Sequence, residues 1–88
     1  MINMNTIEWM PKAKRQANKI KSAVDRLDVI DGVDTLHNFP NVSGVKHLTN
    51  SPIPYRLRVG NWRILFDFDG TAHIISIEEV KKRNERTY

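Results

Sequence analysis

Arg56, Arg58 and Arg63 are the residues whose type and spacing suit chemistry on a polyanion. A guanidinium stays charged at any working pH and matches phosphate oxygens with a two-pronged fork of N–H donors. The stretch Pro54-Tyr55-Arg56-Leu57-Arg58-Val59 alternates apolar and basic residues with the period of a strand. Gly60-Asn61 then reads as a type II′ hairpin turn, glycine first, and Trp62-Arg63-Ile64-Leu65-Phe66-Asp67-Phe68 returns. That register sets Val59 opposite Trp62 and Arg58 opposite Arg63, with Arg56 on the diagonal. Like charges directly opposite one another destabilise a sheet. Alternating arginines are ordinarily a solvated face, but three on one face with no carboxylate opposite them point to an anionic ligand. Asp67 shares the side of Arg63 yet lies four residues along the strand, roughly 13 Å away, too far to neutralise it.

Other groups are weaker candidates. The tail Val80-Lys81-Lys82-Arg83-Asn84-Glu85-Arg86-Thr87-Tyr88 is basic with an aromatic end, which suits phosphate contact and base stacking, or else a solvated terminus. His47 stands in a polar context before the hairpin, and histidine is a side-chain type suited to acid–base work. His73, which the expected register turns toward the core, and His37, at the end of a helix, read as structural. No set of histidines and carboxylates has metal-ligand spacing, and the four glycines are too scattered to form a phosphate loop, so no metal or cofactor is expected.

The elements that must hold these residues fit one small domain spanning residues 1–88. Residues 4–9 read as a first strand with Ile7 and Trp9 on one side, and Pro11 opens a helix. Ala13, Ala17 and Ile20 form one apolar stripe; Val24, Leu27, Ile30 or Val29, Val33 and Leu36 form a second. Ser22, three residues before Asp25, suits an N-cap, so the two helices are divided near Lys21. Asn38-Phe39-Pro40-Asn41 ends the second helix, and residues 45–48 offer a short strand. After the hairpin, Asp69-Gly70 reads as a second tight turn leading to a strand over residues 72–79, which would set Arg63 opposite Ser76 and Leu65 opposite Ile74. The expected fold is α+β: a small antiparallel sheet, made of the N-terminal strand and a C-terminal three-stranded meander, packed against two N-terminal helices.

A net charge of +4 and a pI near 9.7 agree with a nucleic-acid partner. From Lys46 onward there are eight basic residues against five acidic ones, clustered about the hairpin and the tail. The absence of cysteine excludes a disulfide scaffold and fits a reducing compartment. With no signal-peptide pattern in the first residues and no stretch approaching the roughly 20 apolar residues of a membrane span, a soluble cytoplasmic protein is expected, with no membrane partner.

Ile7-Glu8-Trp9 running into Pro11-Lys12-Ala13, then two helices, Val45-Lys46-His47-Leu48, the Tyr55-Arg56-Leu57-Arg58-Val59-Gly60-Asn61-Trp62-Arg63-Ile64-Leu65-Phe66 hairpin and a closing basic tail together resemble the RelE/ParE toxin superfamily over nearly the whole chain. The resemblance is to the RelE-like branch. It implies the toxin of a bacterial type II toxin–antitoxin pair, inhibited by and assembled with a cognate protein antitoxin. It also implies an mRNA interferase, an endoribonuclease that enters the ribosomal A site beside the 16S rRNA, cuts mRNA there and stops translation. Arg56 and Arg58 match the branch's two basic strand positions, Arg63 its central arginine, Arg83 the basic position after the last strand and Tyr88 the C-terminal tyrosine, while His47 falls near a position where some relatives carry a catalytic histidine. ParE-like relatives share the fold but act by binding DNA gyrase, which leaves a gyrase-binding module as the alternative and a plain RNA-binding domain as a third reading.

In the nuclease reading the RNA's own 2′-OH attacks the neighbouring phosphate without a metal. Arg56, Arg58 and Arg63 would stabilise the extra phosphorane charge, Arg83 would assist the leaving group, and Tyr88 or His47 would take the proton. Lys46, Lys81, Lys82 and Arg86 would bind RNA around them. Tyr88 would need its pKa drawn well below about 10, the direction in which neighbouring arginines act.

Overall fold

The computed structural model describes residues 4–83. In chain order these form β1 (Thr6–Trp9), α1 (Pro11–Asn18), α2 (Ala23–Asp34), a 3₁₀ turn (Thr35–Asn38), β2 (Val45–His47), β3 (Tyr55–Val59), β4 (Trp62–Asp69) and β5 (Ile74–Lys82). One five-stranded sheet has the order β1-β5-β4-β3-β2. From β2 onward each strand reverses on the last, so β2–β3, β3–β4 and β4–β5 are antiparallel. The helices carry the chain from β1 to the far edge of the sheet, and the meander returns β5 to lie parallel with β1. The N-terminal strand therefore adds the one parallel pair to an otherwise antiparallel sheet.

Both helices lie on one face of the sheet and close the core against it. Ala13 and Ala17 of α1 are buried, and their small side chains let the helix sit close to β5. Past Ile77, whose carbonyl accepts from Met10 N–H at 2.9 Å, β5 has no strand on its β1 side among the described residues. There α1 takes over, with Gln16 Oε1 accepting from Val80 N–H at 2.7 Å. At α2, Ser22 caps the N-terminus by accepting from Asp25 N–H, as its type and position suggest.

Of the single apolar stripe expected on α2, the structure buries Val29 and Val33, with Leu36 beyond them, but leaves Val24 and Leu27 exposed along with Ile30, so Val29 and not Ile30 faces the core. Three contacts fix that rotation. Trp62 Nε1 donates to Asp25, Arg26 donates to the Ile20 carbonyl, and Gly32 lies against Val59. Leu57, Ile64, Phe66, Ile75, Ile77 and Val80 complete the core from the sheet. Phe39 meets Tyr55, Phe66 and Phe68 edge-on at centroid distances of 5.0–5.4 Å.

The β3–β4 hairpin has the expected register, Val59 opposite Trp62 and Arg58 opposite Arg63, with Gly60 at φ +55° as the first turn residue requires. The β4–β5 hairpin does not. Asp69 Oδ1 accepts from the N–H groups of both Thr71 and Ala72 at 3.0 Å, which opens a four-residue loop over residues 70–73 in place of a tight turn at Asp69-Gly70. The strand starts at Ile74, two residues later than expected, and His73 is an exposed loop residue at φ +57°, not a core one. Farther along, a bulge leaves Glu78 without a cross-strand partner. Arg63 consequently faces Lys81, not Ser76, and Leu65 faces Glu79, not Ile74.

Candidate nucleic-acid interface

The sheet face turned away from the helices carries the charge. Side chains of directly paired residues share a face, so the register defines two rows across the sheet. One runs Lys46, Arg56, Leu65, Glu79 over strands β2 to β5. The next runs Arg58, Arg63, Lys81 over β3 to β5. Three inter-strand steps make the first row roughly 14 Å long. The local reason is alternation: in β3 and β4 every second residue is apolar and packs inward, which forces the arginines outward together.

Arg56 and Arg63 are half-buried and Arg58 is exposed. The Nε atoms of Arg56 and Arg63 are shielded from solvent and have no hydrogen-bond partner among the described residues. Arg63 is flanked by a cation on each side, Arg58 on β3 and Lys81 on β5. A row of three adjacent cations costs a free sheet stability and suits an anionic ligand.

The expectation that no carboxylate faces this cluster is overturned by Glu79. The bulge at Glu78 turns it to the arginine side, where Lys12 of α1 donates to Oε2 at 3.0 Å. Lys81 lies 3.0 Å from Oε1, as an ion pair without hydrogen-bond alignment. The Lys12 hydrogen bond, reinforced by Lys81 and opposed by partial burial, holds the Glu79 carboxyl below its ordinary value near 4.5. Neither Glu79 nor Lys12 stands out in the sequence, because nothing in the local pattern reveals a bulge. Asp67 Oδ1 accepts from the Phe68 N–H at 2.8 Å and forms no ion pair among the described residues.

The structure thus brings together Lys46, Arg56, Arg58, Arg63 and Lys81. Two other candidates face away. His47 pairs with Tyr55 on the helix side, its ring edge-on to the tyrosine at 5.1 Å, and Lys82 pairs with Trp62 on that same side. Arg83 is exposed, and its N–H donates to the Asn61 carbonyl, which anchors it beside the β3–β4 turn. Arg86 and Tyr88 lie outside the described residues. Among the described residues no three histidines or carboxylates gather as a ligand set, and no helix is long and apolar enough to cross a membrane.

Two helices laid on one face of this five-stranded sheet, with cations on the other, define an α+β fold with solved counterparts. A chain of the toxin–antitoxin complex RelBE2 from Mycobacterium tuberculosis superposes with a TM-score of 0.77 at 20% identity, over 91% of this chain and 99% of that one. A chain of the archaeal RelE–RelB complex from Pyrococcus horikoshii gives 0.77 at 16% identity, over 93% and 98%. A doubly arginine-substituted mutant of the E. coli toxin RelE in the free state gives 0.74 at 12% identity, over 94% and 87%. No family model and no curated protein sequence matches the chain. This chain has the RelE fold, shared at identities where only the architecture carries over.

Proposed function

We propose that this chain is the toxin of a type II toxin–antitoxin pair and acts in the cytoplasm as a ribosome-dependent mRNA endoribonuclease, held inactive by a cognate protein antitoxin. The observation that carries the reading is the row Arg58, Arg63, Lys81, flanked by Arg56 and Lys46, on the open face of a RelE fold. Supporting it, two of the solved neighbours are described as complexes of RelE with RelB.

In this reading the RNA backbone crosses the strands and the scissile phosphate sits over Arg56, Arg58 and Arg63. As the 2′-OH attacks, their fixed charges stabilise the phosphorane without reorganisation. Arg83, at the hairpin turn, assists departure of the 5′-oxygen. His47 lies on the opposite face, so proton removal is assigned to Tyr88, which lies outside the described residues and whose hydroxyl would need cationic neighbours to ionise more readily.

Expression of the chain without an antitoxin should stop protein synthesis, read by pulse labelling, and primer extension on a reporter mRNA should show cuts that require active ribosomes. Arg56→Ala, Arg58→Ala and Arg63→Ala should each lower the single-turnover rate by on the order of 10²-fold, the loss typical of one transition-state donor. Arg63→Ala should at the same time leave the melting temperature unchanged or raised, since it removes one of three adjacent cations. Continued protein synthesis accompanied by altered DNA supercoiling would replace this reading with gyrase binding.

A further inference from the structure

Glu79 places a carboxylate beside the arginine cluster on this face. It stands in the row of Arg56 and Leu65 and is diagonal to Arg63 across β4–β5. Its side chain is 17% exposed, whereas those of Lys12 and Lys81 are 57% and 54% exposed. A carboxylate fixed in the sheet therefore sits beneath two solvated ammonium groups on long, flexible stems. Ion pairs between such exposed lysines and a carboxylate are weak and exchangeable, and phosphate oxygens offer the same acceptor chemistry. No ion pair among the described residues joins Glu79 to Arg56 or Arg63.

We propose that Glu79 is a positioning residue that stands in for phosphate in the free protein, gathering Lys12 and Lys81 at the β5 edge of the cationic face and moderating the grip of that face on RNA. The inference rests on the reading that this face takes RNA. The carboxylate does not touch the nucleic acid; it acts through the two lysines, which bound RNA must draw away from it. Binding releases counterions condensed on the RNA as protein cations neutralise its phosphates, and an unpaired cation does so without first giving up a carboxylate. Two lysines sharing one carboxylate withhold one such charge, and loss of the carboxylate restores it.

The test is fluorescence anisotropy with a single-stranded RNA oligonucleotide carrying 2′-O-methyl groups throughout, which blocks the 2′-OH attack, titrated over a range of salt. Glu79→Gln should bind several-fold tighter, and the slope of log K against log salt should steepen by about 0.7, the increment for one further cation on a single strand. Asp67→Asn removes a carboxylate that holds no lysine from the same face, and should leave the slope unchanged. A Glu79→Gln protein with wild-type affinity and slope, or an Asp67→Asn protein with the same steepening, overturns the proposal. Should Glu79→Gln fail to fold, Lys12→Met at an exposed helix position serves instead: it should bind several-fold more weakly, and wild-type affinity would overturn the proposal. Arg63→Ala separates the two levels. If it binds this RNA as tightly as wild type, the reading of the face itself is wrong; if it loses binding while Glu79→Gln changes nothing, only the role given to Glu79 falls.

Discussion

One position along a strand decides which chemistry a side chain can join. Lys46 and His47 are neighbours in sequence, yet Lys46 faces the arginines and His47 packs its ring on Tyr55 on the other side of the sheet. Glu79 shows the same effect with a measurable consequence. Its carboxyl ionises more readily in the folded protein than in the unfolded chain, chiefly because Lys12 donates to it. The stability it contributes is therefore fully present above the ordinary value near 4.5 and is lost as pH falls through the depressed folded value. The melting temperature of Glu79→Gln should fall less than that of the wild type as pH is lowered from about 5 to about 3. Parallel melting curves over that interval would show that the two lysine contacts add nothing to stability.

Among the elements, α2 and the β3–β4 hairpin meet closely at Gly32. A Cβ placed on Gly32 would fall 2.5 Å from Val59 Cγ2. Gly32→Ala gains about 1 kcal/mol of helix propensity but forces an overpacked contact costing about 1–3 kcal/mol. Urea denaturation should show it destabilised, whereas in a Val59→Ala background, where the clash is gone, Gly32→Ala should stabilise; the same sign in both backgrounds would place the strain elsewhere. How much of each element was legible follows from similar local physics. The β3–β4 register could be read because Gly60 needs positive φ and the strands alternate without interruption. The β4–β5 register could not, since Asp69-Gly70 resembles a two-residue turn while the Asp69 side chain in fact holds a longer loop. Nor could the bulge, because in Ile77-Glu78-Glu79-Val80 two adjacent glutamates give no sign of which one faces outward. On α2 the exposed Val24 and Leu27 share the helical spacing that placed them in the expected core stripe, and only the contacts of Asp25, Arg26 and Gly32 turn them outward. The three arginines were legible as a cluster; Glu79 beside them was not.

At the scale of the whole molecule, β5 joins the first strand to the rest of the sheet. It lies between β1 and β4, is the sole strand partner of β1 among the described residues, and supplies Ile75, Ile77 and Val80 to the core as well as Glu79 and Lys81 to the charged face. It is also the last of the five strands to be synthesised. A nascent chain that has reached residue 73 holds both helices and all three arginines of the hairpin, but its first strand has no neighbour and β4 has a bare edge. Chains arrested at residue 73 should therefore be digested rapidly by protease under conditions where chains extended through residue 83 resist; equal resistance would show that the sheet closes without its last strand. The order of synthesis thus acts as a delay. A protein proposed to attack ribosomes remains unfinished, and so inert, until its fifth strand has been made.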